Sequence, residues 1–157
     1  MAERLLLKFR TFVKICTDLS VLSHDPKYKV SSIIVTDDFR EICSIGYNGD
    51  YRGGPNTRSN MEHGQSGFAH AELNALLHLS YPFELRSNLI LFCTHKPCSM
   101  CARHIANSNI HRVVYDDEYV DDENKVDEIF GNSGIRCRNV TSLICSSQML
   151  KDFINTR

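Results

Sequence analysis

Leu89-Ile90-Leu91-Phe92-Cys93-Thr94-His95-Lys96-Pro97-Cys98-Ser99-Met100-Cys101-Ala102-Arg103-His104-Ile105-Ala106 changes character midway. Residues Leu89 to Thr94 are apolar and partly β-branched, the pattern of a buried strand. Pro97 then stands where a helix can begin, and Ala102 to Ala106 read as its body, with Cys98 and Cys101 at its opening. Working outward, Glu72-Leu73-Asn74-Ala75-Leu76-Leu77-His78-Leu79 combines good helix formers with a broad apolar face, after the turn-rich Gly64-Gln65-Ser66-Gly67. His70 therefore falls near the first turn of this earlier helix. Both chemistry-bearing clusters, His70-Ala71-Glu72 and Pro97-Cys98-x-x-Cys101, sit at expected helix starts.

One imidazole and two thiolates are a donor set that suits zinc, and three protein ligands leave the fourth position of a tetrahedral ion open to water. That pattern favours a catalytic site over a structural one. Helix N-termini add partial positive charge, which lowers thiol pKa values and favours the deprotonated ligands the ion needs. Glu72, two residues from His70, is placed to accept a proton from activated water and return it to a leaving amine. The bland alternative is a structural zinc staple, or a capping carboxylate beside unrelated cysteines. A lone Cys-x-x-Cys leaves that alternative open; the missing fourth protein ligand and Pro97 count against it.

The 157 residues are enough for one domain with a full core and too few for two ordinary ones, so one domain over 1–157 is expected. Hydrophobic content of 42% with 24% charged residues is that of a globular chain. A formal net charge of −1 lacks the basic excess of a protein gripping a long phosphate backbone, which argues against nucleic acid as partner. No run approaches transmembrane length, and the start of the chain, interrupted by Glu3, Arg4 and Lys8, reads as an amphipathic helix rather than a leader. Seven cysteines, an odd number with two spoken for by metal, point to a reducing, cytoplasmic setting. The remaining five, Cys16, Cys43, Cys93, Cys137 and Cys145, read as ordinary core or surface side chains.

Taken in order, helical spacing of Leu5, Leu6, Phe9, Phe12, Val13, Ile15, Cys16 and Leu19 predicts a helix over 3–22. Val30 to Thr36 and Glu41 to Tyr47 predict a hairpin turning at Asp37-Asp38. A long polar loop follows, from Gly46 to about Phe68, and loops of that length are often functional. In it Asn48 offers both donor and acceptor, and Arg52 and Arg58 are candidates for a phosphate, with a solvated surface arginine as the even alternative for Arg58. Ile110 to Tyr115 predict a further strand. The acidic run Asp116 to Glu123 suits a solvated face or a helix start, and Tyr119 within it reads either as an anchor or as an aromatic wall for a ligand. A short helix over Val126 to Phe130 ended by Gly131, a strand over Ile135 to Val140 and a helix over Ser147 to Ile154 complete the order α-β-β-α-β-α-β-α-β-α. Such an order implies a layered α/β fold with part of its sheet parallel.

His-x-Glu followed by Pro-Cys-x-x-Cys is the zinc deaminase signature. With Asp25-Pro26-x-x-Lys29-Val30, Gly46-Tyr47-Asn48-Gly49, Gly53-Gly54, His70-Ala71-Glu72-x-Asn74-Ala75 and Ile110-x-x-Val113-Val114-Tyr115, the chain resembles the deoxycytidylate (dCMP) deaminases of the cytidine deaminase-like superfamily over about residues 20–138. The resemblance implies a three-layer α/β/α fold, a five-stranded mixed sheet flanked by helices, and hydrolysis of dCMP to dUMP, which supplies thymidylate synthesis. It implies catalysis by Glu72, one Zn2+ per subunit on His70, Cys98 and Cys101, and substrate contacts at Asn48 and Tyr119, with Arg52 the phosphate candidate from the loop. A homo-oligomer, favoured as a hexamer, with dCTP and dTTP as allosteric effectors and Mg2+ accompanying a bound effector, is also implied. Departures at Ser31-Ser32 and Asp50-Tyr51 leave that regulation open, and Thr57 and Arg58 replace the cysteines that hold an additional zinc in some phage members. Cys98-Ser99-Met100-Cys101-Ala102 also resembles tRNA adenosine deaminases. Deamination of another nucleobase, nucleotide or tRNA adenosine is therefore the alternative enzyme reading, and a structural zinc-binding module the non-enzymatic one.

Overall fold

Burial along the strands decides the architecture, because strands whose successive side chains are buried must be covered on both faces. In the computed structural model, which describes residues 2–62, 66–119 and 123–155, three strands do this: β1 (Ser31–Thr36), β3 (Leu89–His95) and β4 (Arg112–Asp117). With β2 (Ile42–Tyr47) and β5 (Arg136–Asn139) they form one sheet in the order β2-β1-β3-β4-β5. β1 pairs antiparallel with β2 and β3, whereas β3, β4 and β5 run parallel.

Ile34, Leu91, Cys93 and Val113 face one way. They pack against Ala75 of α2 (Ala71–Leu77), Ala102 and Ile105 of α3 (Ser99–Ala106), and Val126 and Phe130 of α4 (Glu123–Asn132). Ile33, Val35, Ile90, Phe92 and Val114 face the other way. They pack on Phe9 and Cys16 of α1 (Ala2–Leu19), on Val140 and Leu143 of α5 (Val140–Ile144), and on Leu150 and Phe153 of α6 (Ser147–Asn155). Three layers result, as the resemblance implied. No helix among the described residues is long and apolar enough to cross a membrane.

Several boundaries differ from the expected ones for local reasons. β4 starts two residues late because Asn109 adopts a left-handed conformation (φ 64°) and the Ser108 hydroxyl receives the Ile110 amide at 3.4 Å, closing a turn. It also continues to Asp117, held by pairing of His95 with Asp117 and by the Lys96 amide donating to the Asp117 carbonyl at 2.8 Å. α4 runs through Gly131, and the left-handed stop falls at Gly134 (φ 66°), where the Ile135 amide reaches back to the Phe130 carbonyl at 2.8 Å. Val140 begins α5 instead of ending a strand, since the Asn139 side chain caps the Thr141 amide at 2.8 Å. A 3-10 turn over Phe83–Asn88 had no periodic signal. Gly64 and Gln65, expected in a turn, and Val120 to Asp122 of the acidic run lie outside the described residues.

One glycine sets how closely α2 approaches the sheet. A Cβ on Gly46 would stand 2.2 Å from the Ala71 carbonyl oxygen and 2.4 Å from the Ala75 amide nitrogen, both backbone atoms. The Ser44 hydroxyl donates to the Ala75 carbonyl at 2.6 Å and the Asn74 side-chain Nδ2 to the Tyr47 carbonyl at 2.9 Å, fixing the same contact. Gly46→Ala should therefore cost about 3 kcal/mol by overpacking and displace the helix that begins beside His70. A denaturation midpoint and metal content equal to those of the unmodified protein would refute this.

Candidate active site

Parallel sheets place ligands beyond the carboxyl ends of their strands, and here β3 and β4 deliver the chemistry. Beyond β3, Cys98 forms the N-cap of α3, with its sulfur accepting the Cys101 amide at 3.4 Å. His70, in extended conformation (φ −73°, ψ 156°), is the N-cap of α2. The two helix starts face each other: His70 Nδ1 is 3.4 Å from the sulfur of Cys98 and 3.4 Å from that of Cys101. All three donor atoms lie within 4.8 Å of one another. Across a tetrahedral zinc with Zn–S of about 2.3 Å and Zn–N of about 2.0 Å, nitrogen and sulfur stand about 3.5 Å apart. The trio fits that ion, and it presents Nδ1 rather than Nε2.

Glu72 is 4% exposed, and burial raises its carboxyl pKa, opposed by the His70 ring. The Cys98 thiol is pushed down to about 4, first by its hydrogen bond with Cys101 and further by His70, while the same hydrogen bond and burial push Cys101 up. A dication bound to the trio favours loss of both thiol protons.

The cleft above the trio, about 480 Å³ out to open solvent, is lined by Glu72, His70, Asn48, Tyr119 and Arg58 among others. Asn48, 6% exposed, is spent on structure as well. Its Oδ1 accepts from the Ser23 hydroxyl (2.5 Å) and the Val30 amide (3.0 Å), while its Nδ2 donates to the Tyr28 carbonyl (2.9 Å). Tyr119 borders both this cleft and a second hollow next to Phe68, Met100 and His104. Arg52 is not brought into the cleft; it is exposed and lines a separate hollow with Tyr51, Leu77 and His78. Arg58, by contrast, is withdrawn from solvent, its side chain 4% exposed and paired with Asp25. The solvated alternative for it is therefore corrected, because a buried carboxylate waits to receive it.

Asp25, Tyr28 and His95 also line the cleft and carried no site assignment from sequence. Asp25-Pro26 enters the sequence reading only as part of the family resemblance, with no role for the aspartate itself. A signal was nonetheless present, since an aspartate ahead of proline commonly folds its side chain onto the following amides, as Asp25 does onto those of Lys27 (2.8 Å) and Tyr28 (3.1 Å).

A nitrogen and two sulfurs poised for zinc, a buried carboxylate and an open cleft define a metal-dependent hydrolase of the deaminase type. The sequence of residues 8–116 matches the family described as the cytidine and deoxycytidylate deaminase zinc-binding region, and the chain belongs to that family. A deoxycytidylate deaminase of Mycobacterium phage D29 is 34% identical over 125 residues, covering 68% of this chain and 92% of the relative. That of Enterobacteria phage T2 is 40% identical over 76 residues, or 47% of this chain, and the match spans only 39% of its own length. The crystal structure of a dCMP deaminase from cyanophage S-TIM5, in complex with dCMP and dUMP, superimposes with a TM-score of 0.70 at 27% identity, covering 83% of this chain and 95% of that one.

Proposed function

We propose that this protein hydrolyses dCMP to dUMP and ammonia. The observation carrying the reading is the buried Glu72 carboxylate beside the His70, Cys98 and Cys101 trio, at the wall of an open cleft. Zinc, when bound there, supplies a Lewis acid that makes water nucleophilic near neutral pH. A Glu72 carboxylate oxygen would take the proton released as water adds to C4 of the pyrimidine and pass it to N3; it would then take the second proton, from the new C4 hydroxyl, and deliver it to the amine, so that the C4 carbonyl forms as the C–N bond breaks and ammonia leaves. Burial favours the protonated form of this carboxyl, as a group that must both hold and return a proton requires. Asn48 and Tyr119, both on the cleft wall, position the nucleotide.

The same reading extends to a homo-oligomer, a hexamer by family resemblance, answering to dCTP and dTTP with Mg2+, in the cytoplasm, where its seven unpaired thiols stay reduced. Light scattering with and without dCTP tests the assembly; a monomer whose rate ignores both nucleotides removes that extension. The direct test of activity is ammonia release from dCMP, CMP, dCTP, deoxycytidine, dAMP and guanine. We expect dCMP to give the highest kcat/KM. Release only from a purine would move the site to another base, and release from none would reject catalysis.

A further inference from the structure

Resting on the dCMP deaminase reading, we infer that Lys96 is a positioning residue: its ammonium ties together the two flanks of the connection that carries Tyr119, and so holds that ring on the cleft wall against the nucleotide. Lys96 directly follows β3, two residues before Cys98, and its side chain is 9% exposed. Lysine is almost never buried this far unless its charge is paired. Here the partners come from either side of Tyr119. Asp127 of α4 offers a carboxylate oxygen at 3.2 Å, and Glu118, just past β4, offers one at 4.0 Å. The Tyr115 hydroxyl donates to the other Glu118 oxygen at 2.6 Å, and the ammonium faces the Tyr115 ring, 5.7 Å from its centroid. The backbone joins at the same place, through the Lys96 amide donating to the Asp117 carbonyl at 2.8 Å.

Lys96 stands as a partition. On one side it borders the cleft shared with Glu72, His70 and Tyr119, and on the other a hollow shared with Tyr115, Asp127 and Phe130. Filling that place needs no charge, since methionine has a similar length and shape. What the charge adds is a link between Glu118 and Asp127, one at the end of the sheet and one on the helix that covers it. Each carboxylate is more than half exposed, so either pair alone is a weak tie. Two of them converging on one buried cation fix where α4 sits relative to the end of β4, and Tyr119 lies in the chain between those two points. A ring whose flanks are held in this way is preorganised for its ligand, which lowers the cost of binding.

The test is a double-mutant cycle between Lys96→Met and Tyr119→Ala on zinc-loaded protein, with kcat and KM measured for dCMP and deoxycytidine. Lys96→Met should keep its zinc and its kcat and raise KM about 5-fold for both substrates, the size of effect a partly exposed ion pair supports. Lys96→Arg, which keeps the charge, should recover most of that loss. In the Tyr119→Ala background the same Lys96→Met change should cost less than about 2-fold, because the side chain it acts through is gone. Glu118→Gln combined with Asp127→Asn removes the tie from the other end, away from the cysteine loop, and should reproduce the rise in KM; it decides the matter if Lys96→Met fails to fold or to hold zinc. An equal loss with and without Tyr119, a loss confined to dCMP, which would make Lys96 a direct phosphate contact, no recovery in Lys96→Arg, or an unchanged KM in the Glu118 and Asp127 variant each overturns the assignment. Failure of the deaminase reading looks different: the unmodified protein would then release no ammonia from either substrate, and the role falls with it.

Discussion

Glu72→Gln should bind zinc as the unmodified protein does and turn over dCMP about 10²- to 10⁴-fold more slowly. Glutamine has nearly the same volume and keeps an acceptor oxygen in the 4%-exposed niche at the start of α2, so folding should be spared. What is lost is a group that can take a proton and give it back. The substitution also removes a buried carboxylate whose charged form burial disfavours, so stability should be unchanged or slightly increased. The result to seek is a split: metal content and melting temperature retained, ammonia release lost. Equal turnover in the two proteins would remove Glu72 from the chemistry, and loss of metal together with activity would make it a structural residue.

Cys101→Ser should abolish stable metal binding and activity together. Its sulfur is 3.4 Å from His70 Nδ1, and the residue is 2% exposed in α3. Serine occupies nearly the same space but is not a thiolate, so it removes one of three donors without opening a large cavity. The trio also joins the first turns of two helices that otherwise meet through side-chain packing, so metal bound to the folded state alone stabilises it by linkage. At metal concentrations about a thousandfold above Kd that contribution is about 4 kcal/mol, which for a domain of this size corresponds to about 10 °C in Tm. Chelation should lower the melting temperature of the unmodified protein by about that amount and leave Cys101→Ser unaffected. A variant that retains a full equivalent of zinc by elemental analysis would show that the donor set is different.

Much of this molecule could be read before any coordinates. A strand with an unbroken apolar run, Leu89 to Cys93, requires cover on both faces, and α1, β3 and the hairpin follow from spacing alone. The elements that escaped were those whose boundaries depend on a single side chain or a single left-handed residue. Asn139 turned Val140 from strand to helix, and Gly134 rather than Gly131 ended α4. Periodicity averages over windows and does not register such local hydrogen bonds.

The site divides along the same line. His70, Glu72, Cys98 and Cys101 are legible from sequence because zinc and proton transfer demand particular donor types, and the helix starts that carry them are local features. Which loop arginine enters the cleft is not local. Arg52 and Arg58 look alike in a polar loop, and only the fold brings a buried aspartate 33 residues away to hold one of them inside while the other remains in solvent. Chemical identity is a property of each residue in the chain, whereas burial and pairing are decided by what the folded backbone sets beside it.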